Sequence, residues 1–237
     1  MSKLPILMYH NISSNLDLSR GLTLASQKFE KQLQYLVKHN FTTYFISELD
    51  NKNSISSKSV VLTFDDVTEN QLLYALPLLK KYNIKATFFV PFSFIGSSDS
   101  WNLGSEKIMT IEQLKSLDPD CVELGHHSFS HKKYSELNKN EIQDDFDKSF
   151  EFISKNDLKV FPALAYPYGN YPKKENQKKD FFQLLEKNKI KMALRIGNRV
   201  NHFPFKNKYE IQRIDIKGED NLFVFKWKLR IGKLRLF

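Results

Sequence analysis

Short apolar runs alternate with stretches of helical periodicity along almost the whole chain. Pro5 to Tyr9 is an apolar run suited to a buried strand, and Ser26 to His39 places Phe29, Leu33, Leu36 and Val37 at helical spacing, with Ser26 as the expected N-cap. A strand is expected over 59–64, a helix over 70–82 on Leu72, Leu73, Leu76 and Leu79, and a strand over 85–91. Thr110 caps a short helix to Leu117, a strand follows at 122–124, and a helix over 138–154 carries Ile142, Phe146, Phe150 and Ile153 on one side. The pattern then repeats as strand 161–166, helix 174–188 and strands 191–195 and 209–216. Strands alternating with helices of this length argue for a parallel sheet, and about seven strands are enough to close one into a barrel. The polar stretch 50–59 reads as a surface loop, so residues 1–237 are expected to form one domain.

Chemistry-bearing residues gather where these strands end. Thr63-Phe64-Asp65-Asp66 closes one strand and Gly125-His126-His127-Ser128-Phe129-Ser130-His131 follows another, while His10 and Tyr168 follow two more. In barrels of parallel strands, reacting groups sit at the C-terminal strand ends. A first-row metal with an open position takes about three protein ligands, and hydrolysis there needs a further carboxylate left free to handle a proton. Two adjacent carboxylates and two imidazoles four residues apart supply that set. Four-residue spacing would put His127 and His131 on one face if the stretch were a helical turn, which leaves His126 lining the pocket or packed beside the ligands.

Thr63-Phe64-Asp65-Asp66 and His127-Ser128-x-x-His131 resemble the first two motifs of the polysaccharide deacetylases, carbohydrate esterase family 4 or the NodB-homology family. The resemblance implies a distorted (β/α)7 barrel, with Asp66, His127 and His131 as metal ligands and Asp65 as catalytic base. Ala165-Tyr166-Pro167-Tyr168-Gly169 is similar to the family's Arg-x-Pro-Tyr-Gly, which implies that the Tyr168 N–H holds the oxyanion. Here the chain departs from the pattern. The arginine that usually orients the base is Ala165, and Arg195 and Arg213, both on late strands, are the candidate replacements. The family's late catalytic histidine has no convincing counterpart, since His202 lies in the loop-like Asn201-His202-Phe203-Pro204. His10 matches the N-terminal histidine of the circularly permuted members that resemble poly-N-acetylglucosamine deacetylases, which implies that it is the general acid. The implied activity is metal-dependent removal of an N-acetyl group from an N-acetylhexosamine unit of a glycan or lipid-linked precursor, with Zn²⁺ the expected ion. A barrel that binds sugar without catalysis, or an amidase or esterase for a non-sugar acyl group, are the alternatives. Tyr9, Phe92, Phe94, Trp101 and Tyr168 are candidates for a sugar-stacking wall.

Composition adds three points. The single Cys121, in an apolar context, is expected to be a buried thiol. The formal charge of +9 is spread over the chain and comes with no nucleic-acid-binding motif, so no nucleic-acid partner is expected. Segment 222–237 differs, with five cations, no acid and bulky apolar residues that include Phe223, Phe225, Trp227, Leu229, Ile231, Leu234 and Phe237. It reads either as a final element packing its apolar side on the body or as an amphipathic segment on an anionic membrane face. The first ten residues lack the features of a signal peptide, which gives the expectation of a cytoplasmic protein, with contact at the inner membrane face through the tail.

Overall fold

The structure, a computed structural model, describes residues 1–232; positions 233–237 of the basic tail lie outside the described residues. Seven parallel strands form the barrel: β1 (Ile6–Tyr9), β2 (Ser59–Asp65), β3 (Ala86–Val90), β4 (Val122–His126), β5 (Val160–Ala165), β6 (Met192–Ile196) and β7 (Ile211–Asp215). They follow one another in chain order round the wall, and β7 closes on β1 through Ile214 opposite Leu7 and Asp215 opposite Met8. The wall is irregular between β4 and β5, where Leu124 faces Val160 but His126 faces Leu164. Pro162, which has no N–H to give to a ladder, sits in that irregular stretch. This is the distorted (β/α)7 barrel expected from the sequence.

Helices α1 (Ser26–Lys38), α2 (Leu76–Tyr82), α3 (Ile111–Lys115), α4 (Lys139–Lys155) and α5 (Glu175–Lys187) each lie between successive strands, and α6 (Leu222–Ile231) follows β7. The link from β6 to β7 has no helix. It carries instead a short strand, Asn201–Phe203, paired antiparallel with Ser2–Leu4. His202 therefore lies in a strand and not in a loop, and it is exposed.

Every residue of β2 is buried, as a strand covered on both faces requires. Its alternation decides which residues see the barrel interior. Val60, Leu62 and Phe64 point outward into the layer containing Phe29, Leu33 and Leu36 of α1 and Leu76 and Leu79 of α2. Val61 points inward with Ile6, Phe89, Ala163, Ala165, Leu194 and Ile211, and Thr63 and Asp65 share its parity. The interior is tight at Gly125, where an added Cβ would lie 2.6 Å from the Phe89 ring. A side chain there would displace the ring on which the Arg213 guanidinium rests, 5.4 Å from its centroid.

Several local expectations are corrected. Ala25, not Ser26, is the N-cap of α1, and it makes no side-chain hydrogen bond. The helix expected over 70–82 begins as a wider π turn at Gln71–Ala75 before α2. By contrast Thr110 caps α3 through a reciprocal capping box with Gln113. Segment 222–231 is a helix that buries Phe225, Lys228 and Leu229, so its inner side packs on the body, with Phe225 edge-on to Tyr35 of α1.

His126 takes the outward parity of β4, between the rings of Phe92 and Phe150 at 5.4 and 5.6 Å. It neither lines a pocket nor lies beside the inward-facing groups. Burial among these rings lowers its pKa to about 4. Between that value and the ordinary 6.5 the unfolded chain binds a proton that the folded protein does not, so stability falls as pH drops through this window. Replacing His126 with Leu should remove about 2 kcal/mol of the stability lost between pH 7 and pH 5. Urea unfolding of chelator-treated parent and variant at both pH values measures this, and an unchanged pH difference would refute it.

Candidate active site

Strand parity brings four polar side chains to the C-terminal mouth of the barrel: His10 after β1, Asp65 at the end of β2, His127 after β4 and Arg213 in β7. Asp66 follows Asp65 but turns over on a left-handed backbone (φ 75°), its N–H donating to the Phe89 carbonyl. The two carboxylates are thereby aimed differently. Asp65 accepts two hydrogen bonds from Arg213, at 2.5 and 2.8 Å, with both side chains almost fully buried. Asp66 Oδ1 makes no hydrogen bond of good geometry and faces His127 Nε2 at 3.5 Å and His131 Nε2 at 3.3 Å.

Arg213 stands in for the arginine absent at Ala165. Arg195 does not, because Met192, Leu194 and Ile196 take the inward parity of β6 and Arg195 bonds only to the Ile196 carbonyl. Burial alone would raise the Asp65 carboxyl, but the Arg213 guanidinium, with His127 and His10 beyond it, holds it well below the usual carboxylate range. Asp66 is likewise lowered against its burial, by the His131 and His127 imidazoles that face it.

The His127–His131 stretch is not a helical turn. Ser128 and His131 both have left-handed backbones, with φ of 67° and 51°. The loop is held from two sides. The Ser128 hydroxyl accepts the His131 N–H at 2.8 Å, which explains the hydroxyl at that motif position. From α4, buried Asp145 accepts the N–H groups of Phe129 and Ser130, both at 2.9 Å, and the hydroxyls of Ser130 and Tyr134. Without that carboxylate these part-buried N–H groups would lose their partner.

His127 is oriented by the chain at the departed motif position. Its Nδ1 lies 2.8 Å from the Ala165 carbonyl oxygen, which can only accept, so Nδ1 carries the proton and Nε2 keeps its lone pair toward Asp66. Burial, outweighing Asp65 and reinforced by His131, lowers its pKa to about 4 and keeps it neutral near pH 7. Asp66, His127 and His131 present ligand atoms within 4.8 Å of one another and are all buried. An unpartnered carboxylate oxygen facing two imidazoles, one of them fixed as a lone-pair donor, fits a divalent metal ion.

These groups line one cavity of about 210 Å³, together with Tyr168, Trp101, Asn11, Asp99 and Asp215. His10 Nε2 and His127 Nε2 are each 3.8 Å from Asp65 Oδ2. Trp101 stacks on His131 at 4.0 Å, and Asp99 anchors its loop by accepting the Glu106 N–H and an Asn102 amide hydrogen. Tyr168 is left-handed (φ 59°), and its ring meets the His131 ring edge-on at 5.0 Å. Gly169 beside it also has positive φ and approaches β6 so closely that a Cβ would lie 2.7 Å from the Ile196 nitrogen. Of the proposed aromatic wall, only Trp101 and Tyr168 reach the cavity. Tyr9 and Phe92 are core, and Phe94 supports Trp101 edge-on at 4.5 Å. Asp215 escaped the motif reading, although it shares the inward parity of Ile211 and Arg213; its buried Oδ1 has no hydrogen-bond partner.

Known proteins are similar to this chain over most of its length. YxkH of Bacillus subtilis, whose name places it among polysaccharide deacetylases, is 30% identical over 174 residues covering 72% of this chain and 58% of YxkH. The poly-β-1,6-N-acetyl-D-glucosamine N-deacetylase of Staphylococcus epidermidis is 29% identical over 162 residues, 63% of this chain and 55% of the relative. This chain thus spans less than two thirds of the length of these relatives. In fold it matches Streptococcus pyogenes deacetylase PplD, solved in complex with acetate, with a TM-score of 0.75 and 23% identity over 98% of this chain and 99% of PplD. IcaB from Ammonifex degensii matches with a TM-score of 0.77 and 19% identity over 97% and 98% of the two chains. The model of the polysaccharide deacetylase family matches residues 52–193, more than half of the sequence, and the chain belongs to that family.

Proposed function

We propose that this chain removes the acetyl group from an N-acetylhexosamine unit of a glycan or glycan precursor, within the branch of the family whose catalytic histidine follows the first strand. One observation carries the reading: a three-ligand cluster, an anchored carboxylate outside it and an imidazole just after a separate strand all face one cavity. Two imidazoles and one carboxylate suit Zn²⁺, which when bound would supply Lewis acidity toward the acyl carbonyl.

The remaining work falls to the chain. Asp65, anionic and fixed by Arg213, takes a proton from the attacking water. The Tyr168 N–H stabilises the oxyanion that develops as the water oxygen bonds to the acyl carbon. His10 gives a proton to the amide nitrogen as the C–N bond breaks. Acetate and a free amine leave, with one water consumed. Trp101 and Tyr168 offer ring surface to a sugar at the cavity rim.

Acetate release from N-acetylated glucosamine oligomers is the assay. The parent should lose activity on chelation and regain it with Zn²⁺, whereas Asp65→Asn should fall at least about a hundredfold yet still bind the ion. Metal-independent activity, or full activity in Asp65→Asn, would reject the mechanism.

The Asp65–Arg213 pair has its own signature. Arg213→Met leaves a buried carboxylate unpaired and should cost about 3–5 kcal/mol, while the double variant Asp65→Leu/Arg213→Met should recover most of that loss without recovering activity. Urea unfolding of the single and double variants measures the coupling, and additive losses would show that the pair is not the source.

A further inference from the structure

We propose that the outer face of α6, with the cationic cleft at its C-terminal end, docks on an anionic lipid bilayer. The inference rests on the surface of the described residues and does not depend on the deacetylase reading.

Phe223, Trp227 and Ile231, spaced four apart, form a ridge along the side of α6 opposite its buried residues. They are 66%, 39% and 46% exposed, and the rings of Phe223 and Trp227 lie 6.0 Å apart. Three large apolar side chains in one exposed row are more than the single apolar residues normally scattered over a surface. Among the described residues, no helix is long and apolar enough to cross a membrane, so this face suits lying on a bilayer and not spanning it.

Charge selects the partner. Beside Ile231 is a cleft of about 650 Å³ lined by Lys3, Arg199, His202 and Arg230 with no carboxylate. Elsewhere surface lysines meet acids, as Lys81 does Glu30, Lys85 does Glu48 and Lys191 does Asp50. Among the described residues Lys3, Arg199 and Arg230 form no ion pair, and Lys226 lies over the Tyr35 ring, 5.0 Å from its centroid. Unneutralised cations beside an aromatic and aliphatic ridge match a surface that offers phosphates above hydrocarbon. Trp227 is the residue type that settles at that boundary.

The ridge also adjoins the catalytic cavity. Asp215 lines both that cavity and a second cleft, of about 260 Å³, walled by Phe223 and Trp227. A bilayer seated on the ridge would therefore lie next to the mouth of the barrel, where a glycan held at the membrane surface could enter.

The test is flotation of the 237-residue chain with phosphatidylcholine vesicles, with or without phosphatidylglycerol. The protein should float only with the anionic vesicles, less so at high salt. Phe223→Ser/Trp227→Ser should weaken partitioning at least about tenfold and Arg199→Ala/Arg230→Ala about thirtyfold, both with unchanged thermal unfolding because the altered side chains are exposed. No flotation, equal flotation with neutral vesicles, or parent-like flotation of either double variant would overturn the proposal. So would concentration-dependent self-association abolished by Phe223→Ser/Trp227→Ser, which would assign the ridge to a second copy.

Discussion

The buried ion pair between Asp65 and Arg213 organises the mouth of this barrel. Two opposite charges almost without solvent contact are costly to bury, and the cost is offset only if geometry is good and the remaining donors and acceptors are met. The bidentate fork, the Phe89 ring beneath the guanidinium and the inward Thr63 hydroxyl at 3.4 Å supply most of that geometry, while Arg213 Nε has no hydrogen-bond partner among the described residues. Gly125 leaves room for the Phe89 ring. Arg213 donates to both oxygens of Asp65 and holds them 3.8 Å from His10 and His127, whereas Asp66 Oδ1 has no hydrogen-bond partner and lies closer to the imidazoles of His127 and His131, at 3.5 and 3.3 Å. The division of labour between adjacent aspartates thus follows from which of them the inward arginine can reach.

Supplying this arginine from β7 also frees position 165. A large side chain there would project into the interior already filled by Phe89, Arg213 and Leu194, whereas Ala165 is small and fully buried. Its carbonyl meets His127 Nδ1 and fixes the tautomer. With alanine at 165, the guanidinium paired with Asp65 thus comes from another strand of the barrel, β7.

Much of this was legible in the sequence because two periodicities, 2 for strands and 3.6 for helices, carry most of the fold. The seven barrel strands and the convergence of His10, Asp65, Asp66, His127, His131 and Tyr168 follow from runs, spacing and motif residues. What was not legible depends on parity relative to a closed wall or on contacts distant in sequence. Arg195 and Arg213 both looked like late-strand arginines, and only the inward register of β7 separates them. His126 differs from His127 by one residue and hence by one face of β4, which places it among Phe92 and Phe150. The loop conformation at 127–131 is not legible in the motif itself because its cause, Asp145, lies on the following helix. Asp215 matched no motif, yet alternation forward from Arg213 would have found it.

β7 links the chemistry to the outer surface. Its inward residues supply Arg213 to Asp65 and Asp215 to the cavity, and the turn after it is pinned by Lys228 of α6, which donates to the Asp215 carbonyl at 2.6 Å and pairs with Asp220. Buried Lys228 thus ties the inner side of α6 to the end of the strand that anchors Asp65. The outer side carries the exposed Phe223–Trp227–Ile231 ridge. A short covalent and hydrogen-bonded path therefore joins the ridge to the Asp65 carboxylate, with Lys228 as its only polar link from α6 into the barrel mouth among the described residues. Because that link is buried and doubly bonded, it fixes how the ridge is oriented relative to the cavity, so whatever covers the ridge is held in a defined position beside the mouth.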